Sequence, residues 1–171
     1  MTGEGQRIVD FYAGEAPDDR GRMLEQILAF DDAALEYTHD FIQWLFPLRD
    51  RSGANPSAPR LDDGAVAAFE ARPQLRAALR RALDRMLAFY GMEWRDGEIV
   101  RGPRWRERDQ WLTPYNHNHL RLTRMLVSLR TLGLRDEAGA LYAALRSIAK
   151  NEGRDAISAV TLRYWDDAAL V

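Results

Sequence analysis

Three histidines, a run of interleaved arginines and tryptophans, and one carboxylate pair are the residues of this chain whose types and spacing bear on chemistry. A protein metal site needs three or four convergent N, O or S ligands. His39, His119 and a carboxylate such as Asp40 would supply such a set only where their helices meet. His117 and His119 stand two apart, which in a helix turns them about 200° from each other, so only an extended segment would let them share a metal. The competing reading makes His39 and His119 core-facing residues that hydrogen-bond to neighbours and fix helix packing.

Arg101, Arg104, Trp105, Arg106, Arg108 and Trp111 alternate cationic and aromatic side chains. Such groups clamp phosphates and stack on bases. Glu107 and Asp109 interrupt the run, and the other reading is a surface loop whose tryptophans anchor it to the core while its arginines pair locally. Glu36 and Asp40 lie one helical turn apart and resemble an acid–base pair, as any polar helix face does. No phosphate loop, dinucleotide glycine fingerprint, nucleophile elbow or zincin motif is present, so no catalytic residue, metal ligand or cofactor is assigned.

The elements that must position these groups are helical. Apolar residues recur at three and four almost everywhere. The pattern predicts helices over about Gln6–Ala13 and Met23–Phe30, the latter capped by Asp18 or Asp19. A central helix of about Asp32–Phe46 follows. On its wheel Leu35, His39, Ile42 and Phe46 form one stripe, and Tyr37, Phe41, Trp44 and Leu48 the opposite one. Only Glu36, Asp40, Gln43 and Pro47 remain for an outward edge, so other helices should wrap it on most sides.

Residues Arg49–Arg60 are too rich in Gly, Pro, Ser and Asn for regular structure. Pro73 opens a helix whose stripe of Leu75, Leu79, Leu83, Met86, Leu87 and Tyr90 stops at Gly91. Its arginines, Arg76, Arg80, Arg81 and Arg85, lie outside the stripe. Asp96-Gly97 between Met92-Glu93-Trp94 and Glu98-Ile99-Val100 predicts a hairpin. Asn116 caps a helix ending at Gly133, with His119 inside and an arginine face of Arg121, Arg124 and Arg130. Another helix ends near Gly153, and a last one carries Ile157, Val160, Thr161 and Tyr164. The fold class is therefore all-α: a compact single-domain bundle, residues 1–171, of about six to eight helices around the buried 32–46 helix, with one small hairpin near 92–100.

At 171 residues and 46% hydrophobic content, one domain can bury a self-sufficient core. Cysteine is absent, which excludes disulfides and thiolate ligands. A net charge of −2 gives no global pull toward nucleic acid or anionic lipid. No apolar run reaches signal-peptide or membrane-spanning length, and a cytoplasmic location is expected. Lys150 is the only lysine, and the arginine and alanine bias suggests a G+C-rich, bacterial genome.

Phe11-Tyr12, the block Tyr37-Thr38-His39-Asp40-Phe41-Ile42-Gln43-Trp44-Leu45-Phe46-Pro47-Leu48, Asn55-Pro56-Ser57-Ala58-Pro59, the stretch from Ala82 to Gly91, that from Asn116 to Arg124, and Tyr164-Trp165 together resemble the conserved domain of the opioid growth factor receptor family. The resemblance covers most of the chain, in order. It implies a receptor-like module, the animal member being described as a nuclear receptor for the pentapeptide met-enkephalin. The long tail, repeats and basic import clusters of the animal proteins are not in this sequence. The family brings no established catalytic or ligand-binding residues.

The reading is thus a non-catalytic module that binds a peptide or protein segment in an aromatic-lined groove. Tyr12, Tyr37, Trp44, Trp94, Trp105, Trp111 and Tyr115 are candidate groove walls. The candidate ligand-binding set is Arg101, Arg104, Trp105, Arg108, Trp111, Tyr115, His117, His119 and Arg121. An anion or nucleic-acid binder working through Arg101–Trp111 is the first alternative. A metal-assisted enzyme around His39, His117 and His119 is the second.

Overall fold

The computed structural model describes residues 1–152 and 155–170. Among them stand ten α-helices and one two-stranded antiparallel sheet, more helices than the sequence pattern predicts. None of these helices is long and apolar enough to cross a membrane. The chain divides into two compact units, residues 1–83 and 84–171, the boundary falling within one long helix.

In the first unit, Thr2 caps α1 (Gly3–Ala13) by accepting from the Gly5 N–H, and Gly14 ends it at φ 74°. α2 (Leu24–Leu28) and α3 (Asp32–Tyr37) follow, the latter capped by Asp31. The continuous 32–46 helix predicted from the wheel is broken: Thr38 is extended, with ψ 124°, and helix resumes only as α4 (Ile42–Leu45). An apolar pattern on every side of a helix demands burial on every side. The break instead turns Phe41, Trp44, Leu45 and Phe46 inward, while Tyr37 is left 80% exposed. His39, expected inside, is exposed, and Gln43, expected outside, is buried. The supposed outward residue Asp40 joins an ionic cluster.

That cluster is centred on Arg22. Its guanidinium donates to Asp18 at 2.7 Å and to Asp40 at 2.8 Å, and Arg20 also donates to Asp40. Asp18 does not cap α2. Its fully buried side chain accepts the Arg20 and Arg22 N–H groups and so shapes the turn before that helix. Burial alone would raise the pKa of Asp40, but the hydrogen bonds and charges of Arg22 and Arg20 outweigh it and hold it low.

α5 (Asp63–Ala71) is capped by Asp62 and packs on α1. The Tyr12 hydroxyl donates to the Leu45 carbonyl, and the Tyr12 ring meets Phe69 edge-on at 5.2 Å. Residues 49–60 are irregular, as their composition predicts. Pro73 begins α6 (Pro73–Phe89), which ends where Gly91 takes φ 76°.

After the end of α6 the second unit continues with β1 (Met92–Arg95) and β2 (Glu98–Arg101), paired with Trp94 opposite Ile99. Asp96 and Gly97, both at positive φ, form the two-residue turn the dipeptide predicts. α7 (Trp105–Arg108) and a 3-10 turn (Asp109–Trp111) lead into α8 (Asn118–Thr131). α9 (Arg135–Asn151) and α10 (Ala159–Ala168) pack against α8. Ile157, assigned to the last helix by its pattern, precedes it, and Ser158 is the cap. The predicted stop at Gly153 lies outside the described residues.

Two stability predictions follow from this geometry. Both Gly14 and Gly91 have positive φ, but a Cβ at Gly14 meets nothing within 4 Å, whereas at Gly91 it would stand 2.9 Å from the Arg108 Cβ and 3.1 Å from the Trp105 Cα. In urea unfolding, Gly14→Ala should cost about 1 kcal/mol, and Gly91→Ala distinctly more. Asp18→Ala, which strips the buried carboxylate from Arg22, should cost about 3 kcal/mol in the same measurement.

Candidate functional site

The segment from Arg101 to Arg121 spans β2, α7, the 3-10 turn and the start of α8, and the structure sorts its residues into two groups. Trp105, Trp111, His119 and Arg121 are buried. Arg101, Arg104, Tyr115 and His117 are exposed, and Arg108 is intermediate.

The buried group is a chain of perpendicular rings. Trp105 meets Trp111 at 6.0 Å, Trp111 meets His119 at 6.3 Å, and His119 meets Trp165 at 6.3 Å, each pair edge to face. Tyr90 joins at Trp111, 5.6 Å away. The polar edges of these rings are satisfied internally. Trp111 donates to the Tyr90 carbonyl at 3.2 Å, and Trp105 to Glu152 at 3.0 Å. His119 Nε2 lies 2.9 Å from the Trp111 carbonyl, which fixes the tautomer with the proton on Nε2, because a carbonyl only accepts. Burial pushes the His119 imidazole below its usual pKa, and the bond to the Trp111 carbonyl only partly offsets this.

Trp105 and Trp111 therefore hold the segment to its own unit and are not open groove walls. In the first unit, Tyr12 and Trp44 are buried as well. Trp94 is half-exposed and donates to Asp84 at 2.9 Å.

The exposed arginines face carboxylates. Arg101 and Arg106 converge on Glu152, Arg104 lies 3.0 Å from Glu107, and Arg106 is also 3.9 Å from Asp109. Glu152 thus gathers two guanidinium groups and an indole N–H. Its part was not legible, because 47 residues separate it from Trp105. The arginine face expected on α8 is only partly solvated: Arg121 is buried and donates to Asn118 at 3.4 Å, and burial lowers the pKa of Arg124.

Tyr115 is 98% exposed at φ 59°. The turn that carries it is held by Asn116, which accepts the Asn118 N–H at 3.0 Å and donates to Thr113 at 3.0 Å, while the cap of α8 falls at His117, one residue after the position the sequence predicts. The histidines do not gather: His39 and His117 are exposed while His119 is buried. Among the described residues no group of three His, Asp or Glu side chains is placed to hold a metal.

An open cavity of the second unit lies elsewhere. A groove of about 340 Å³ runs between β2 and α9, lined by Glu98, Ile99, Val100 and Arg101 on one side and by Ala140, Ala143, Ala144, Ser147 and Ile148 on the other. A second cavity of about 580 Å³, which shares Ser147 with the first, is lined also by Arg146, Lys150, Ile157 and Leu162. The alanines repeat at helical spacing, so a smooth helix face was visible in the sequence, but not what it would lie against.

The fold and this site define a small, mainly helical module with an indole–imidazole core and an open strand–helix groove. The model of the opioid growth factor receptor conserved region matches residues 7–165, and the chain belongs to that family. It is 43% identical over 135 residues to the mouse (Mus musculus) opioid growth factor receptor, covering 74% of this chain and 21% of that protein. To the mouse opioid growth factor receptor-like protein 1 it is 38% identical over 132 residues, covering 72% of this chain and 28% of that protein. The human (Homo sapiens) receptor is 42% identical over 103 residues, or 58% of this chain and 15% of that protein. The chain thus spans well under a third of the length of these relatives. No solved structure matches it.

The buried imidazole makes stability depend on pH. The folded-state pKa of His119 lies below the unfolded value of about 6.5. Between the two, the unfolded chain takes up a proton that the folded one refuses, so stability is full above about pH 6.5 and falls as pH drops toward the folded pKa. Urea midpoints measured at pH 7.5 and 5.5 should therefore separate more for the native chain than for His119→Gln. His119→Ala should lose about 2–4 kcal/mol at pH 7.5, through the cavity and the unpaired Trp111 carbonyl, and less at pH 5.5.

Proposed function

We propose that this chain is a non-catalytic binding module that takes a peptide or protein segment. The observation that carries the reading is the groove between β2 and α9: it is open, it has an apolar floor in Ile99 and Ile148, and small side chains form one wall. Segment-binding domains use such grooves to take extended or helical partners. The printed names of the relatives point the same way, since an opioid growth factor, as the ligand of a receptor, is a peptide or protein.

Contact with anions or nucleic acid through Arg101–Trp111 has less support. Arg101, Arg104 and Arg106 each lie within 4 Å of a carboxylate, and the two tryptophans that would stack on bases are buried.

A thermal-shift panel of tyrosine-led pentapeptides, with inorganic phosphate and a short oligonucleotide as comparators, tests the reading. A peptide present at about a hundredfold its Kd should stabilise the fold by about 2.7 kcal/mol, which raises Tm by about 5–10 °C for a chain of this size. A flat peptide response up to millimolar concentration, or a shift with the oligonucleotide alone, would count against it.

A further inference from the structure

We infer that the partner is an extended segment that adds as a third strand to the free edge of β2, in the groove beside α9. This rests on the segment-binding reading above and gives it a mode. Consecutive side chains of a strand point to opposite faces. The cavity is lined by all four consecutive residues Glu98 to Arg101, from both faces of β2, although α9 already covers the buried Ile99 side chain. No residue of β1 lines it, so the edge concerned is the one turned away from the hairpin partner.

The hairpin register identifies the groups on that edge. Across a two-residue turn the closing pair, Arg95 and Glu98, is the hydrogen-bonded kind, and the kinds then alternate. The Gly102 N–H bonded to the Gly91 carbonyl at 2.8 Å keeps the same alternation. Glu98 and Val100 thus turn their backbone groups toward β1, while Ile99 and Arg101 turn theirs into the groove. Among the described residues these outward groups take no backbone partner. Unpaired N–H and C=O groups on a groove wall match one chemistry closely, the main chain of another extended segment.

The facing wall fits that occupant. Ala140, Ala143, Ala144 and Ser147 put no long side chain between helix and strand. β2 offers about 13 Å of edge, room for about four paired residues. Charge sets the rest. Arg101 and Trp105 both reach Glu152, so the Arg101 end of β2 lies beside the C-terminal end of α9. Along the lining itself Glu98 stands at one end of β2 and Arg101, in its pair with Glu152, at the other. The segment accordingly carries small or β-branched residues along β2 and an acidic residue at the Arg101 end.

Strand addition draws its affinity mainly from the main chain, so a generic sequence suffices as a probe. The probes are acetyl-Val-Thr-Val-Thr-Asp-Asp-amide and its reversed sequence, each also prepared with alternate backbone amides N-methylated in both registers. Fluorescence anisotropy should show binding by at least one orientation at up to millimolar concentration, and a loss of at least tenfold on N-methylation in one register. Hydrogen exchange should slow at least tenfold at the Ile99 and Arg101 amides. Ala143→Trp, an exposed position that fills the groove from the solvent side, should weaken binding at least tenfold with Tm kept within a few degrees. Ser147→Arg provides a second blocking variant if the first unfolds. Binding indifferent to N-methylation, or without protection at Ile99 and Arg101, overturns strand addition while leaving segment binding intact. No binding by either probe overturns strand addition, and joined to a flat pentapeptide panel it removes the segment-binding reading too.

Discussion

Each ring nitrogen buried in the second unit must find a partner inside the protein, and His119 is where that constraint is met. Its Nε2 serves the Trp111 carbonyl, its own carbonyl receives the Thr123 hydroxyl at 3.0 Å and the Trp165 indole at 3.5 Å, and its ring stands edge-on to both tryptophans. The 3-10 turn, α8 and α10 are thereby tied at one imidazole. A neutral histidine suits the place because it brings a donor without a charge to desolvate. With Trp111 fixed in this way, Trp105 is carried inward and its indole reaches Glu152, which also gathers Arg101 and so brings the end of β2 beside α9. The hairpin is held to α9 at that end and by packing of β2 on the helix, and the groove lies beside this contact.

The first unit answers a similar constraint with charge. Asp18 is buried completely and is stable there because one guanidinium and two backbone N–H groups converge on it. Asp40 completes the cluster, and its carbonyl accepts from Asn55 at 3.3 Å. Asp40 meets Arg22 just past the break at Thr38, and the aromatic residues after the break, Phe41, Trp44 and Phe46, are buried.

How far these features were legible depends on range. The Pro73 start, the Gly91 stop and the Asp96-Gly97 turn were legible because each is decided within a few residues by backbone sterics and local hydrogen bonds. His119 on the inner stripe of α8 was legible from helical period. The broken 32–46 helix was not, because the contacts made beside the break, such as that of Asp40 with Arg22 18 residues away, are not local. The candidate site was half legible: the Arg101–Arg121 segment does border the groove at Arg101, but most of its aromatic residues serve the core.

By itself, then, the sequence determined a mainly helical chain with one hairpin and its membership of the opioid growth factor receptor family, since period, caps and turn residues act locally and the aromatic blocks are specific. Only the tertiary structure decided which aromatic rings are core, which arginines are already paired, and that the free edge of β2 faces an alanine-lined helix. Those outcomes depend on contacts between residues distant in sequence, whose energies are set by burial and partner geometry that no local pattern encodes.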